Sequence, residues 1–133
     1  MFFEEKPRRT GKTTRLVEGI TSFLSLNLDK VALIVAPTNE QRLKIRDMVH
    51  TKCGDFCSKR TITSHKMFEK TESMKQFVDE VNLMKQNRLT LDNEAYYTTT
   101  PCITPLCYRI KSLYEQVKTQ KVEPNKFIKK HEL

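Results

Sequence analysis

Residues Val31-Ala32-Leu33-Ile34-Val35-Ala36 form a short, nearly continuous apolar run, rich in β-branched side chains and stopped by Pro37. A strand with water on one face alternates apolar and polar residues, whereas an unbroken apolar run belongs to a strand covered on both faces. Strands of that kind sit in parallel sheets, whose crossover connections lay helices against both sides. The run therefore points to an α/β fold, and the neighbouring segments agree. Leu16, Val17, Ile20, Phe23 and Leu24 recur at helical spacing in residues 13–28. After Pro37, Thr38 or Asn39 can cap a second helix with Leu43, Met48 and Val49 on its inner side and Gly54 at its exit.

Further strands are expected at Thr61-Ile62-Thr63, within residues 73–81, and at Ala95-Tyr96-Tyr97-Thr98-Thr99, which Pro101 ends. The fourth is interrupted by Lys75 and Gln76. A first strand must be short, because only Met1-Phe2-Phe3 precedes the polar residues. Leu106, Ile110, Leu113, Tyr114 and Val117 predict a closing amphipathic helix. The expected architecture is a three-layer α/β/α domain around a mostly parallel five-stranded sheet, spanning residues 1–119, followed by a basic, mobile tail at 120–133. At 133 residues the chain accommodates one such domain and not two.

Between the first strand and the first helix lies Lys6-Pro7-Arg8-Arg9-Thr10-Gly11-Lys12-Thr13-Thr14. Its Gly-Lys-Thr core has the chemistry of a phosphate-binding P-loop. Backbone amides of Thr10 to Thr14 would turn toward the phosphates, Lys12 would reach the β/γ oxygens, and the Thr13 hydroxyl would hold Mg²⁺. A helix beginning there adds its positive dipole end. The full motif has a glycine five residues before Gly11, where this chain has Lys6 and then Pro7. Downstream, Phe77-Val78-Asp79-Glu80 ends an apolar strand in two carboxylates. Phosphoryl transfer to water needs a Mg²⁺ holder, for which Asp79 is suited, and a group that activates water, for which Glu80 is suited.

Pro7-Arg8-Arg9-Thr10-Gly11-Lys12-Thr13 resembles the P-R-Q-x-G-K-T loop of viral terminase large subunits, which often lacks the leading glycine. Three further segments are similar in order: Ala36-Pro37-Thr38 with Gln41 resembles the segment after the second strand in helicases and terminases, Val78-Asp79-Glu80 resembles Walker B, and Thr98-Thr99-Thr100-Pro101 resembles the coupling motif III. The resemblance covers most of residues 6–101. It implies a RecA-like ATPase core using ATP and Mg²⁺, coupled to movement on DNA, with Thr99 and Thr100 sensing the γ-phosphate. It also implies that Arg8 or Arg9 stabilises charge on the transferred phosphoryl group. It implies a virus-encoded protein acting in the host cytoplasm. The adenine-recognising segment, nuclease domain and second RecA-like domain of such enzymes have no counterpart in the sequence, so a homo-oligomer or a larger motor or nuclease partner is expected.

A net charge of +8 favours polyanionic partners, nucleic acid above all. No apolar run approaches the roughly 20 residues that span a bilayer, so no membrane partner is expected. Cys53, Cys57, Cys102 and Cys107 are spaced more loosely than common zinc pairs, and reduced structural thiols are the expectation. His65 is assigned no catalytic role, and Phe2, Phe3, Tyr96, Tyr97 and Tyr108 are read mainly as packing residues rather than base-stacking platforms. Two alternatives stay open on these residues: a non-catalytic nucleotide-binding module acting on a partner protein, and a small nucleotide or nucleoside kinase.

Overall fold

The computed structural model describes residues 1–68, 72–85 and 91–122. Strand β1 (Phe2–Glu5) is followed by helix α1 (Lys12–Leu26), β2 (Val31–Val35), α2 (Asn39–Cys53), a single helical turn α3 (Asp55–Ser58), β3 (Thr61–Ser64), β4 (Met74–Val78), β5 (Tyr96–Thr99) and α4 (Pro105–Val122). The strands form one five-stranded sheet in the order β1-β5-β4-β2-β3, and every pairing is parallel. All carboxyl ends therefore lie along one edge. Loops 6–11, 36–38, 79–80 and 100–104 gather there.

Alternation along each strand divides the core in two. Ala32, Ile34, Phe77 and Tyr96 face α1 and α2, where Leu16, Ile20, Leu24, Ile45 and Val49 pack against them. Leu33, Val35, Val78 and Tyr97 face the other side, under Leu106, Cys107 and Ile110 of α4. The run at β2 is buried on both faces, as its unbroken apolar character requires. Thr38 caps α2, its hydroxyl accepting from the Gln41 amide at 3.2 Å.

Several local expectations shift. The first helix begins at Lys12 and stops at Leu26, two residues before Leu28, because Asn27 turns both its backbone and its side-chain amide onto the Phe23 carbonyl. On α2 the inward positions are Ile45 and Val49, while Leu43 is exposed. Ile45 and Val49 are four apart on one stripe, and Leu43 lies off it. In β4 the polar residues are accommodated. Gln76 is buried with its amide exchanging hydrogen bonds with the Phe68 backbone, and the Lys75 ammonium lies 5.6 Å from the ring centres of both Phe23 and Phe77. Helix α4 continues through residue 122, past the expected boundary at 119; the rest of the tail lies outside the described residues.

The cysteines correct the expectation of free thiols. Cys53 is bonded to Cys57 and Cys102 to Cys107, with Cα separations of 5.7 and 6.6 Å. Those separations suit a disulfide. They arise because Gly54, with φ at 75°, breaks α2 just before α3, and because the loop after β5 folds back onto the first turn of α4. Among the described residues no helix is long and apolar enough to cross a membrane.

Candidate functional site

The loop between β1 and α1 is anchored at its base, where the Lys6 amide donates to the Thr99 carbonyl at 3.1 Å. It is closed on itself by the Thr10 hydroxyl, which donates to the Pro7 carbonyl at 2.7 Å. Two residues are left-handed, Arg9 with φ of 62° and Gly11 with φ of 82°. Gly11 takes this conformation without strain, and a Cβ there would also press on the Arg15 guanidinium at 3.1 Å. For Arg9 the conformation costs about 1 kcal/mol or more, the kind of local strain that gathers at ligand sites.

Lys12 is almost wholly buried, and its ammonium donates to the Lys6 and Pro7 carbonyls, each at 2.8 Å. Lys6 and Pro7 thus supply the acceptors that hold the lysine. An ammonium has three donors, so one is left for a ligand. Helix α1 starts with no side-chain cap, and its first free carbonyl partnership is the Arg15 amide to the Gly11 carbonyl at 3.0 Å. The amides of Lys12, Thr13 and Thr14 precede that bond and have no acceptor within the helix. They form an electropositive donor set at the loop's mouth.

Alternation continues past β4 and β5. Since Phe77 and Tyr96 face α1, Asp79 and Thr98 must face it too. Asp79 is fully buried and accepts three side-chain hydrogen bonds: from Thr13 at 3.1 Å and Gln41 at 2.9 Å on Oδ2, and from Thr98 at 2.6 Å on Oδ1. Its own amide donates to the Val35 carbonyl at 2.9 Å, fixing the strand end. Glu80 follows in a left-handed conformation, φ 53°, half-buried. Loop, helix start and carboxylates together line a cleft of about 490 Å³, with Arg8, Arg9, Lys12 and Lys44 as its cations and Asp79 and Glu80 as its carboxylates. A second concavity of about 270 Å³ lies on the opposite sheet face at Leu33, Ile62, Phe68 and Met74 and offers no charge to a phosphate.

Behind the loop, Arg15 donates a forked hydrogen bond to the buried Glu4, tying α1 to β1. That bond, with the positive charge of Arg15 added, holds the Glu4 carboxyl below its ordinary value against the opposing effect of burial. Burial likewise raises the phenol of Tyr96, to about 12.

Most of the expected site residues meet at the cleft: Arg8, Arg9, Gly11, Lys12, Thr13, Thr14, Asp79 and Glu80 line it. Thr10 stays in the exposed part of the loop. Thr99 and Thr100 do not line it. Thr99 points to the α4 face, its hydroxyl donating to the Thr100 carbonyl at 2.8 Å and approaching Cys107 Sγ at 3.7 Å, while the Thr100 amide donates to Asn82. The threonine that reaches the cleft carboxylate is Thr98, one position earlier, which strand alternation from Tyr96 identifies. Gln41 and Lys44 were not assigned site roles from sequence. Their placement depends on β2 lying directly beside β4, a neighbour relation that no local pattern in the chain carries. Asn82, bonded to both Thr99 and Thr100, gave no signal of its own.

Among the described residues no group of three or more His, Cys, Asp or Glu is placed to hold a metal by itself. Mg²⁺ does not need one, because it is commonly held by one or two protein oxygens together with phosphate and water. Thr13 Oγ1 and Asp79 Oδ2 are such a pair, so the donor chemistry fits Mg²⁺ bound with a polyphosphate. Comparison of the chain with protein-family models, curated proteins and solved structures finds no match.

Proposed function

We propose that this chain is a P-loop ATPase with a RecA-like core, similar to terminases and helicases, which couples Mg·ATP hydrolysis to binding of or movement on nucleic acid. The observation that carries the reading is the contact between Thr13, at the start of α1, and the buried Asp79, at the end of β4. It brings the hydroxyl after the lysine and the Walker-B-like carboxylate to one point, beside a helix start with open amides. The sheet order supports the same reading, since β5 with Thr98 lies between the loop strand β1 and the carboxylate strand β4.

The α1 amides and Lys12 would bind the phosphates, and Thr13 and Asp79 would hold Mg²⁺. When bound, Mg²⁺ would neutralise charge on the phosphate oxygens. Glu80, in the same cleft and not held to Asp79, would accept a proton from the attacking water. Arg8 and Arg9 at the mouth would offset charge developing on the transferred group. The net charge of +8 supports a nucleic-acid partner.

ATP turnover by the wild type, Lys12→Ala and Glu80→Gln, each with and without single- and double-stranded DNA, tests the proposal. Turnover in the wild type that DNA stimulates and both substitutions abolish is expected. Equal rates in all three proteins would refute it, and Mg-dependent binding without turnover would select a non-catalytic nucleotide-binding module instead.

A further inference from the structure

Asp79 Oδ2 accepts from two donors on different helices, Thr13 of α1 and Gln41 of α2. Thr13 is the group that must turn to a metal when one binds, so its bond to Asp79 is the one that gives way. Gln41 has no such second task. Its backbone amide is held by the Thr38 hydroxyl, and the next residue's guanidinium is tied to the Ala36 carbonyl at 2.6 Å, so the first turn of α2 is fixed to the end of β2. The side chain reaches Asp79 from that fixed base. We propose that Gln41 is a positioning residue which, together with Thr98, keeps the Asp79 carboxylate aimed into the cleft when Thr13 lets go; the inference rests on the reading of Asp79 as a Mg²⁺ holder.

The chemistry of the amide suits this role. Gln41 Nε2 is a neutral donor, so it orients a carboxylate without neutralising it and without competing as a cation for the place of Mg²⁺. With Thr98 on Oδ1 and Gln41 on Oδ2, each oxygen retains a lone pair for a metal or its water. Loss of Gln41 leaves Oδ2 with Thr13 alone, and the carboxylate is then held only by Thr98 on Oδ1 whenever Thr13 is withdrawn.

Two measurements test the inference. In the nucleotide-free wild type, the side-chain amide protons of Gln41 should be resolved by NMR from those of the exposed Gln116 and exchange slowly; an amide pair overlapping the exposed glutamine would overturn the contact. In a titration with fluorescent ADP, Gln41→Met, which keeps length but removes the donor, should weaken the Mg²⁺-dependent part of binding by roughly tenfold and leave Mg²⁺-free binding unchanged, while Gln41→Asn should recover none of it because it is too short. Equal weakening with and without Mg²⁺ marks a merely structural residue and overturns the proposal, as does no change at all. A wild type that binds no nucleotide under any condition refutes the ATPase reading and with it the positioning role, whereas a normal wild type with unaltered Gln41→Met refutes the role alone.

Discussion

Thr13 and Asp79 stand 66 residues apart in the chain and 3.1 Å apart in the fold. The contact is possible because strand alternation turns Asp79 to the α1 face, and Thr98 and Gln41 complete its ring of donors. Removal of the carboxylate would leave three side-chain donors without their acceptor. Asp79→Ala is expected to lower unfolding stability by roughly 3 kcal/mol, as for other broken buried polar networks. Urea denaturation of the two proteins checks this; a midpoint within error of wild type would show that the network is not formed.

The pair Glu4 and Arg15 makes stability depend on acid. Glu4 has a folded value below its unfolded one, mainly through the Arg15 hydrogen bond. A depressed carboxylate contributes stability that is fully present above the unfolded value, near ~4.3, and is lost as pH falls through the folded value. Melting temperatures from pH 7 to pH 2.5 should therefore drop more steeply for wild type than for Glu4→Gln, with the difference opening only below about pH 4. Parallel curves would contradict the pairing.

Tyr96 acts at the opposite end of the scale. Burial raises its phenol to about 12, so the folded state favours the neutral ring. The contribution is present below the unfolded value near ~10 and is lost as pH rises from there toward the folded one. Tyr96→Phe should be less sensitive to alkali between those limits, and absorbance at the phenolate band should lose one late component while that of the more deeply buried Tyr97, raised further still, remains.

Gly19 sets how closely α1 approaches the sheet. A Cβ at this position would lie 3.0 Å from the Tyr96 ring. Any gain in helix propensity from a larger residue is then outweighed by overpacking, and Gly19→Val should destabilise by about 1–3 kcal/mol. Calorimetry measures it, and a more stable variant would show that α1 can move away from β5.

The division between what was legible and what was not follows sequence range. Val31 to Ala36 announced a doubly covered strand because burial on both faces leaves its mark on every residue. The loop residues and Asp79-Glu80 were legible because their chemistry is concentrated in short stretches. Leu43 was misplaced by an error of phase on a helix, and Thr98, which donates to Asp79, lies one position before the Thr99 and Thr100 that the resemblance singles out. Gln41 and Asn82 were not assigned roles because each is defined by a partner on another element, Asp79 and Thr100, and pairing across the sheet is written in no contiguous segment. The cysteine pairs carry no such signal in their spacing, because a broken helix and a folded-back loop bring them together.

The most direct test of the central claim separates binding from chemistry at one residue. Glu80→Gln keeps the proposed phosphate-binding loop and Asp79 intact and removes the proposed proton acceptor. It should bind ATP with Mg²⁺ as the wild type does, while turnover in a single-cycle assay falls by on the order of a hundredfold or more. Wild-type turnover in Glu80→Gln, or no ATP binding by either protein, would contradict the account.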